Sequence, residues 1–421
     1  MVFREEYRVG GTLMDKFGEI VRAAVHAGAS DIHLSGGHPV ITRVKGAIQF
    51  NKNMRWRPED SDSLVRKLLS PERINVLKTR GSVDHATTVS GVRLRINVFN
   101  ETRGLGFSIR LLPGTAPSID QLNLHPSLHQ ICQLEQGLVL ICGATGTGKT
   151  TTIAAIIEEI NASRACHIIT IEDPIEYRFL SKKAFIQQRE LGEHTYSFEQ
   201  GLLDSLREDP DVIVIGELRE AETMKLSINA AEAGHLVIAT LHATNAEEAI
   251  YRLCNAVPFE SQDEIRHQIS STLSWLIVQQ LTYLPQAKAL TPILSILRGS
   301  PAVKALVREN NLQQIENAIQ MGKADGMFTP DRYLKEFLQK RTVFIPPVTV
   351  FRPSEELAQV TDYRSPIMAE AKQPPSKYPT PYLTERSENI IIGKIDSHAV
   401  NDSFSIDDNV SIEKLFKEYE D

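Results

Sequence analysis

The sequence predicts a mixed α/β chain in which an α+β unit precedes a parallel-sheet nucleotide-binding unit and a helical C-terminal part. Three observations carry that class. Gly143-Ala144-Thr145-Gly146-Thr147-Gly148-Lys149-Thr150 is a complete G-x-x-x-x-G-K-[ST] phosphate loop, set between an apolar run at residues 138–142 and a helical pattern at residues 151–161. Four apolar strand candidates, at residues 138–142, 168–171, 212–215 and 236–241, each run straight into polar residues able to do chemistry. Ahead of them, Leu112-Pro113-Gly114-Thr115-Ala116-Pro117-Ser118 is dense in breakers and marks the end of a first unit.

In chain order, residues 1–11 are polar and Gly-rich, and they are expected to be flexible. Residues 12–112 form the first unit. Leu13, Phe17, Ile20, Val21, Ala24 and Val25 follow the helical period, and Gly28 is placed to end that helix. Strand-like stretches follow at 31–34, 40–44, 92–99 and 106–111, the third with Val92, Leu94, Ile96 and Val98 alternating. Pro58 and Pro71 open helical stretches at 58–69 and 71–77, because proline suits a first helical turn. Residues 113–123 are the linker, and 124–259 the nucleotide-binding core. Residues 260–340 read as a helical subdomain, with patterns at 265–281, 302–308, 312–321 and 332–338. Residues 341–421 are rich in proline and weakly apolar, so a disordered tail is expected, with a short final helix around 412–419.

Composition excludes several classes. At 421 residues, 42% hydrophobic and 24% charged, the chain has ordinary globular composition and room for two or three cores. A net charge of −7 gives no footprint for DNA or RNA, so nucleic acid is not an expected partner. Cys132, Cys142, Cys166 and Cys254 form no C-x-x-C pair and read as small core residues of a reducing compartment. The start, Met-Val-Phe-Arg-Glu-Glu-Tyr, puts acids where a signal peptide needs bases, and no run of about 18 apolar residues exists to span a membrane. A cytoplasmic location is the expectation.

The loop itself specifies phosphate chemistry. Gly143, Gly146 and Gly148 can take backbone angles closed to other residues, so the N–H groups through Ala144, Thr145, Thr147 and Thr151 can wrap a polyphosphate at a helix N-terminus. Lys149 brings a point charge to the β/γ-phosphates, and the Thr150 hydroxyl suits Mg²⁺, so ATP and Mg²⁺ are the expected cofactors. In a parallel sheet, ligands sit beyond the carboxyl ends of the strands, so the four strand ends should converge on one crevice. Glu217, after 212–215, is the general-base candidate. Glu172, Asp173 and Glu176 put three carboxylates at another strand end, Glu172 suited to Mg²⁺-bound water; alone, such a cluster is more often a capped turn. His235 and His242 bracket 236–241 with opposite parity, so they cannot share a metal from one side of a strand. His242, beside Thr240 and Asn245, is placed to sense the γ-phosphate, while His235 has a structural alternative. Arg95, Arg103 and Arg110 alternate with apolar residues of the first unit; they are either solvated or the arginines that meet phosphate across a gap.

Together, the phosphate loop, Ile171-Glu172-Asp173-Pro174-Ile175-Glu176, Leu206-Arg207-Glu208-Asp209-Pro210-Asp211 with Gly216-Glu217, and Gly234-His235 through His242 resemble the Walker A, Asp box, Walker B and His box of the type II/IV secretion ATPase superfamily. More narrowly the chain resembles the PilT-like branch, the type IV pilus retraction ATPases, over about residues 12–340. The resemblance implies a PAS-like N-terminal domain, a RecA-like ATPase domain with a helical C-terminal subdomain, and a homohexamer with ATP between domains. It implies Glu217 as catalytic acid, Glu172 in the Asp box, and His235 and His242 in the His box. It further implies a cytoplasmic protein peripheral to the inner membrane, whose partners are a pilus platform protein and a homologous retraction or extension ATPase. Two features depart from the branch. Its A-I-R-N-L-I-R-E signature stands here as Ala302-Val303-Lys304-Ala305-Leu306-Val307-Arg308-Glu309, and the Pro-rich tail is added. The tetracysteine element of extension and type II secretion relatives is missing from the sequence. Pilus retraction is therefore the favoured reading. The alternatives are an ATPase of a conjugation or type IVB secretion machine, and a non-hydrolysing nucleotide-gated regulator of a partner motor.

Overall fold

The computed structural model describes residues 12–346 other than Lys45 and Pro113. The expectations for residues 1–11 and for the tail from Pro347 lie outside the described residues.

Helix α1 (Leu13–His26) starts where its sequence says it should. Thr12 Oγ1 accepts from the Asp15 N–H at 3.3 Å and Asp15 Oδ2 accepts from the Thr12 N–H at 2.7 Å, a closed capping box. Its periodic residues Phe17, Ile20, Val21 and Ala24 are buried, and Gly28, with φ of 67°, turns the chain out of the helix. Six strands follow, β1 (Ala29–Leu34), β2 (Pro39–Val44), β3 (Ala47–Arg55), β4 (Ser82–Val89), β5 (Val92–Glu101) and β6 (Gly104–Leu111). They form one antiparallel sheet in the order β3-β2-β1-β6-β5-β4. Helices α2 (Pro58–Leu68) and α3 (Pro71–Arg80) each open on proline. The core under this sheet joins Phe17, Ile20, Trp56, Leu64, Leu94 and Phe107, with the Trp56 indole N–H donating to Ser61 Oγ at 2.8 Å.

The second sheet has seven strands, β7 (Gly137–Cys142), β8 (His167–Glu172), β9 (Phe185–Glu190), β10 (Val212–Ile215), β11 (Leu236–Leu241), β12 (Leu273–Leu284) and β13 (Ala289–Arg298), ordered β13-β12-β7-β11-β10-β8-β9. All neighbours are parallel except the β12–β13 hairpin. Both faces of β7, β8, β10 and β11 are covered, which is why these four read as unbroken apolar runs. Along β7, Leu138, Leu140 and Cys142 enter one core and Val139 and Ile141 the other. Helix α4 (Lys149–Ser163) packs Ile153, Ile156, Ile157 and Ile160 into the second of these. α5 (Phe198–Ser205), α6 (Ala221–Glu232) and α7 (Ala246–Cys254) supply side chains to the first.

The C-terminal part corrects the sequence reading. The helix expected over 265–281 stops early: α8 covers Gln262–Thr272, and Leu273 begins β12. Residues 260–340 are therefore not uniformly helical, since the β12–β13 hairpin extends the central sheet. The physical reason is double-sided burial of Leu273, Trp275, Leu276, Ile277 and Val278, a short apolar run whose spacing suits either structure. Strands β3, β4, β9 and β13 were not expected from the sequence. Helix α9 (Pro301–Arg308) and the helical turns at Ile315–Met321 and Tyr333–Leu338 agree with it. Among the described residues no helix is long and apolar enough to cross a membrane.

Candidate functional site

Parallel pairing of β7, β11, β10 and β8 puts their carboxyl ends on one edge of the sheet. The phosphate loop leaves β7 there. Gly143, Gly146 and Gly148 have φ of 145°, 81° and 85°, the conformations that side chains resist. A Cβ on Gly143 would stand 2.4 Å from the Gln279 carbonyl oxygen, so the close approach of β12 requires glycine too. Ala144, Thr145 and Gly146 are exposed at the loop tip. Lys149, 9% exposed, turns Nζ onto the Gly143 and Ala144 carbonyls at 2.8 and 2.9 Å. Burial pushes its pKa down, and Glu217 opposes the shift. Thr147 Oγ1 donates to the Ala144 carbonyl at 2.9 Å.

Gln279 clamps the loop from β12, a residue hidden inside the segment read as helix. Its Oε1 accepts from Thr152 Oγ1 at 2.8 Å, and its Nε2 donates to the Thr147 carbonyl at 2.7 Å. Thr150 is half-buried in the first turn of α4. The Thr151 hydroxyl shares a 3.0 Å hydrogen bond with the Tyr177 hydroxyl.

Glu217 follows β10 and stands between Arg219 and His242. Arg219 Nη2 lies 2.6 Å from its Oε2 and His242 Nε2 lies 2.9 Å from its Oε1. Burial pushes the Glu217 carboxyl up, but the Arg219 hydrogen bond and charge, with His242 and Lys149, outweigh it and hold the group below the usual glutamate value. Arg219, two residues from Glu217, carried no motif that would have singled it out.

Glu172 closes β8 in a different environment. Its Oε1 accepts from Thr170 Oγ1 at 2.7 Å and from Gln188 Nε2 at 3.1 Å. Burial pushes it up to about 7, against the pull of those two donors and with added repulsion from Glu176 and Glu190. Asp173 and Glu176 are also raised by burial. Arg219 and Arg95 oppose the shift at Asp173, and Arg95 and Arg110 oppose it at Glu176.

The three arginines of the first sheet separate. Arg95 and Arg110 are register partners across β5–β6, and Arg110 Nε donates to Asp31 Oδ1 at 3.1 Å. Arg103 is not on a strand; it lies in the turn joining β5 to β6. At about 3.3 Å per residue it stands about 20 Å along the hairpin from Arg95. One phosphate therefore cannot meet all three from one chain. His235 is corrected in the same way. It precedes β11, its Nδ1 is 2.8 Å from the Pro210 carbonyl oxygen, and the strand's length puts it about 20 Å from His242. Within this chain it belongs to the opposite edge of the sheet.

Among the described residues no group of three or more His, Cys, Asp or Glu side chains is placed to cage a metal. The Thr150 hydroxyl, half-buried in the first turn of α4, is an oxygen donor of the kind Mg²⁺ takes. The exposed loop tip and the positive-φ glycines suit a polyphosphate.

The sequence profile of type II/IV secretion system proteins matches residues 11–324. An uncharacterised protein of Escherichia coli K12, YggR, is 38% identical over 312 residues, 74% of this chain and 94% of its own length. The type IV pilus retraction ATPase PilT of Pseudomonas aeruginosa is 36% identical over 323 residues, 76% and 94% of the two chains. A crystal structure of the pilus retraction motor PilT with bound ADP superposes with a TM-score of 0.71 at 38% identity, covering 81% of this chain and 95% of that one.

Proposed function

This chain belongs to the type II/IV secretion system protein family and is an ATPase, and we propose that it works as a homohexameric motor powering type IV pilus retraction. Residues 12–112 are read as a PAS-like domain, 124–259 as a RecA-like core, and the partner as a platform protein at the inner membrane, with the motor peripheral to it. The observation that carries the enzymatic part is Glu217, kept ionised by Arg219 and His242 at the strand end beside the phosphate loop.

Within the site each residue has a task. The loop amides and Lys149 hold the phosphates, for which Lys149 must exchange its contacts with Gly143 and Ala144 for phosphate oxygens. Thr150, and Glu172 through water, would hold Mg²⁺, which supplies charge neutralisation on the phosphates when bound. Glu217 orients the attacking water and accepts its proton, while His242 and Arg219 fix the carboxylate. Arg95, whose charge acts on Asp173 and Glu176, and Arg110, whose charge acts on Glu176, are the first-sheet arginines assigned here to offset phosphate charge. A second reading has Glu172 take the proton, and one observation favours it. Its pKa near 7 makes it the stronger base at neutral pH.

The test is ATPase activity against protein concentration with light scattering alongside, for wild type and Glu217→Gln. Activity should rise cooperatively as six-fold rings form, and Glu217→Gln should bind ATP while losing about 100-fold or more in kcat. Full turnover by dispersed monomers would sink the ring motor, and retained turnover in the variant would remove Glu217 from its role.

A further inference from the structure

Arg93 leaves the first sheet and enters the second. It sits on β5, 6% exposed, and its Nη2 donates to Glu190 Oε2 at 3.0 Å while its Nε donates to the Ile175 carbonyl at 3.3 Å. Glu190 Oε2 also accepts from the Ile175 N–H at 3.2 Å. Both polar groups of the Ile175 peptide backbone are thus held by one ion pair, and the pair is itself buried, with Glu190 4% exposed. Ile175 lies in the loop that carries Asp173 and Glu176, and Glu190 stands in register with Glu172 across β8–β9. A second ion pair, Arg73 Nε to Glu193 Oε1 at 2.6 Å, ties helix α3 to the turn after β9, and its charges also act on Glu190.

A buried ion pair is poor evidence of stabilisation, since apolar residues of similar volume often do as well. Here the geometry has another use: the planar fork of arginine spans a carboxylate and a backbone carbonyl together, which a lysine ammonium does not. We propose that Arg93 is a positioning residue that fastens the Asp173–Glu176 loop to the first sheet, so that displacement of that sheet moves the site's carboxylates relative to the phosphate loop. The proposal rests on the reading of that loop as part of the hydrolysis site.

The experiment compares Arg93→Lys and the double variant Arg93→Met/Glu190→Met with Arg73→Ala, using steady-state turnover of Mg·ATP and amide hydrogen exchange without nucleotide. Arg93→Lys should keep KM within about threefold and lose about tenfold or more in kcat, with exchange at residues 173–177 about tenfold faster and exchange in α4 unchanged. The double variant, which removes both members of the buried pair together, should repeat that pattern. Arg73→Ala, which leaves the contacts of Arg93 with Glu190 and Ile175 in place, should change either readout by about threefold at most, well short of Arg93→Lys. Unchanged exchange at 173–177, equal acceleration throughout the protein, or the same losses in Arg73→Ala would overturn the proposal. Should wild type fail to turn over ATP, the enzymatic reading fails, and exchange alone still decides whether Arg93 fastens the loop.

Discussion

The position of Glu172 near pH 7 makes the choice between the two candidate bases measurable. Its carboxyl is raised above the ordinary glutamate value, so the ionised, proton-accepting form is present above about pH 7 and is lost as pH falls through that value. About 9% is ionised at pH 6 and about 91% at pH 8, so a reaction that needs the anion should slow about tenfold between them. Glu217, held below the usual value, stays ionised over the whole window and gives no such limb. The perturbation is Thr170→Val, which keeps the shape of a fully buried side chain and removes the hydroxyl that donates to Glu172 Oε1 at 2.7 Å. A hydrogen bond to a charged group contributes roughly 1.5–3 kcal/mol, so its loss should move the limb up by about one to two pH units. The assay is phosphate release at sub-saturating Mg·ATP from pH 6 to 9, because kcat/KM reports the ionisations of the free enzyme. If Glu172 takes the proton, Thr170→Val is about 5- to 50-fold slower than wild type at pH 7 and recovers towards pH 9. A flat wild-type profile, or a loss in Thr170→Val that is equal at every pH, refutes the role of Glu172 as base and leaves the proton to Glu217.

Two further substitutions probe the loop. Gly143→Ala places a Cβ 2.4 Å from the Gln279 carbonyl at a φ of 145°, so ATP binding should fall by about tenfold or more and thermal stability should drop; calorimetric titration and melting check both. Gln279→Leu removes one buried and one part-buried hydrogen bond and strands Thr152 Oγ1, which should cost about 1–3 kcal/mol in denaturant unfolding and raise KM for ATP.

Much of the fold was legible because short-range rules and burial agreed. The helical period from Leu13, the prolines at Pro58 and Pro71 and the apolar runs of β7, β8, β10 and β11 each named an element that formed. Edge strands were lost for the opposite reason. Strand β3 is exposed along most of its length, with Phe50 58% exposed, and β9 presents Phe185 to solvent, so neither shows the apolar signature of a covered strand. Strand β12 failed differently. It is covered on both faces, and a run from Leu273 to Val278 that is apolar on every side gives no period by which to tell strand from helix.

The site divides along the same line. Residues whose role comes from local backbone were readable: Gly143, Gly148 and Lys149 stand in one loop, and a strand-end acid such as Glu217 is reached by counting from β10. Residues whose role comes from long-range contact were not. Gln279 meets Thr147 from 132 residues away, and Arg93 meets Glu190 from 97 away, and neither position carries a pattern that points to its partner. The histidines show the limit within a single motif. Parity separated His235 from His242, but only the strand's own length and direction put one at the Pro210 carbonyl and the other on Glu217. Arg103 repeats the lesson, since its spacing from Arg95 and Arg110 suggested one face while the hairpin turn between β5 and β6 carries it to the far end. A motif therefore locates the chemistry along the chain, whereas the order of strands in the sheet decides which of its residues can act on the same phosphate.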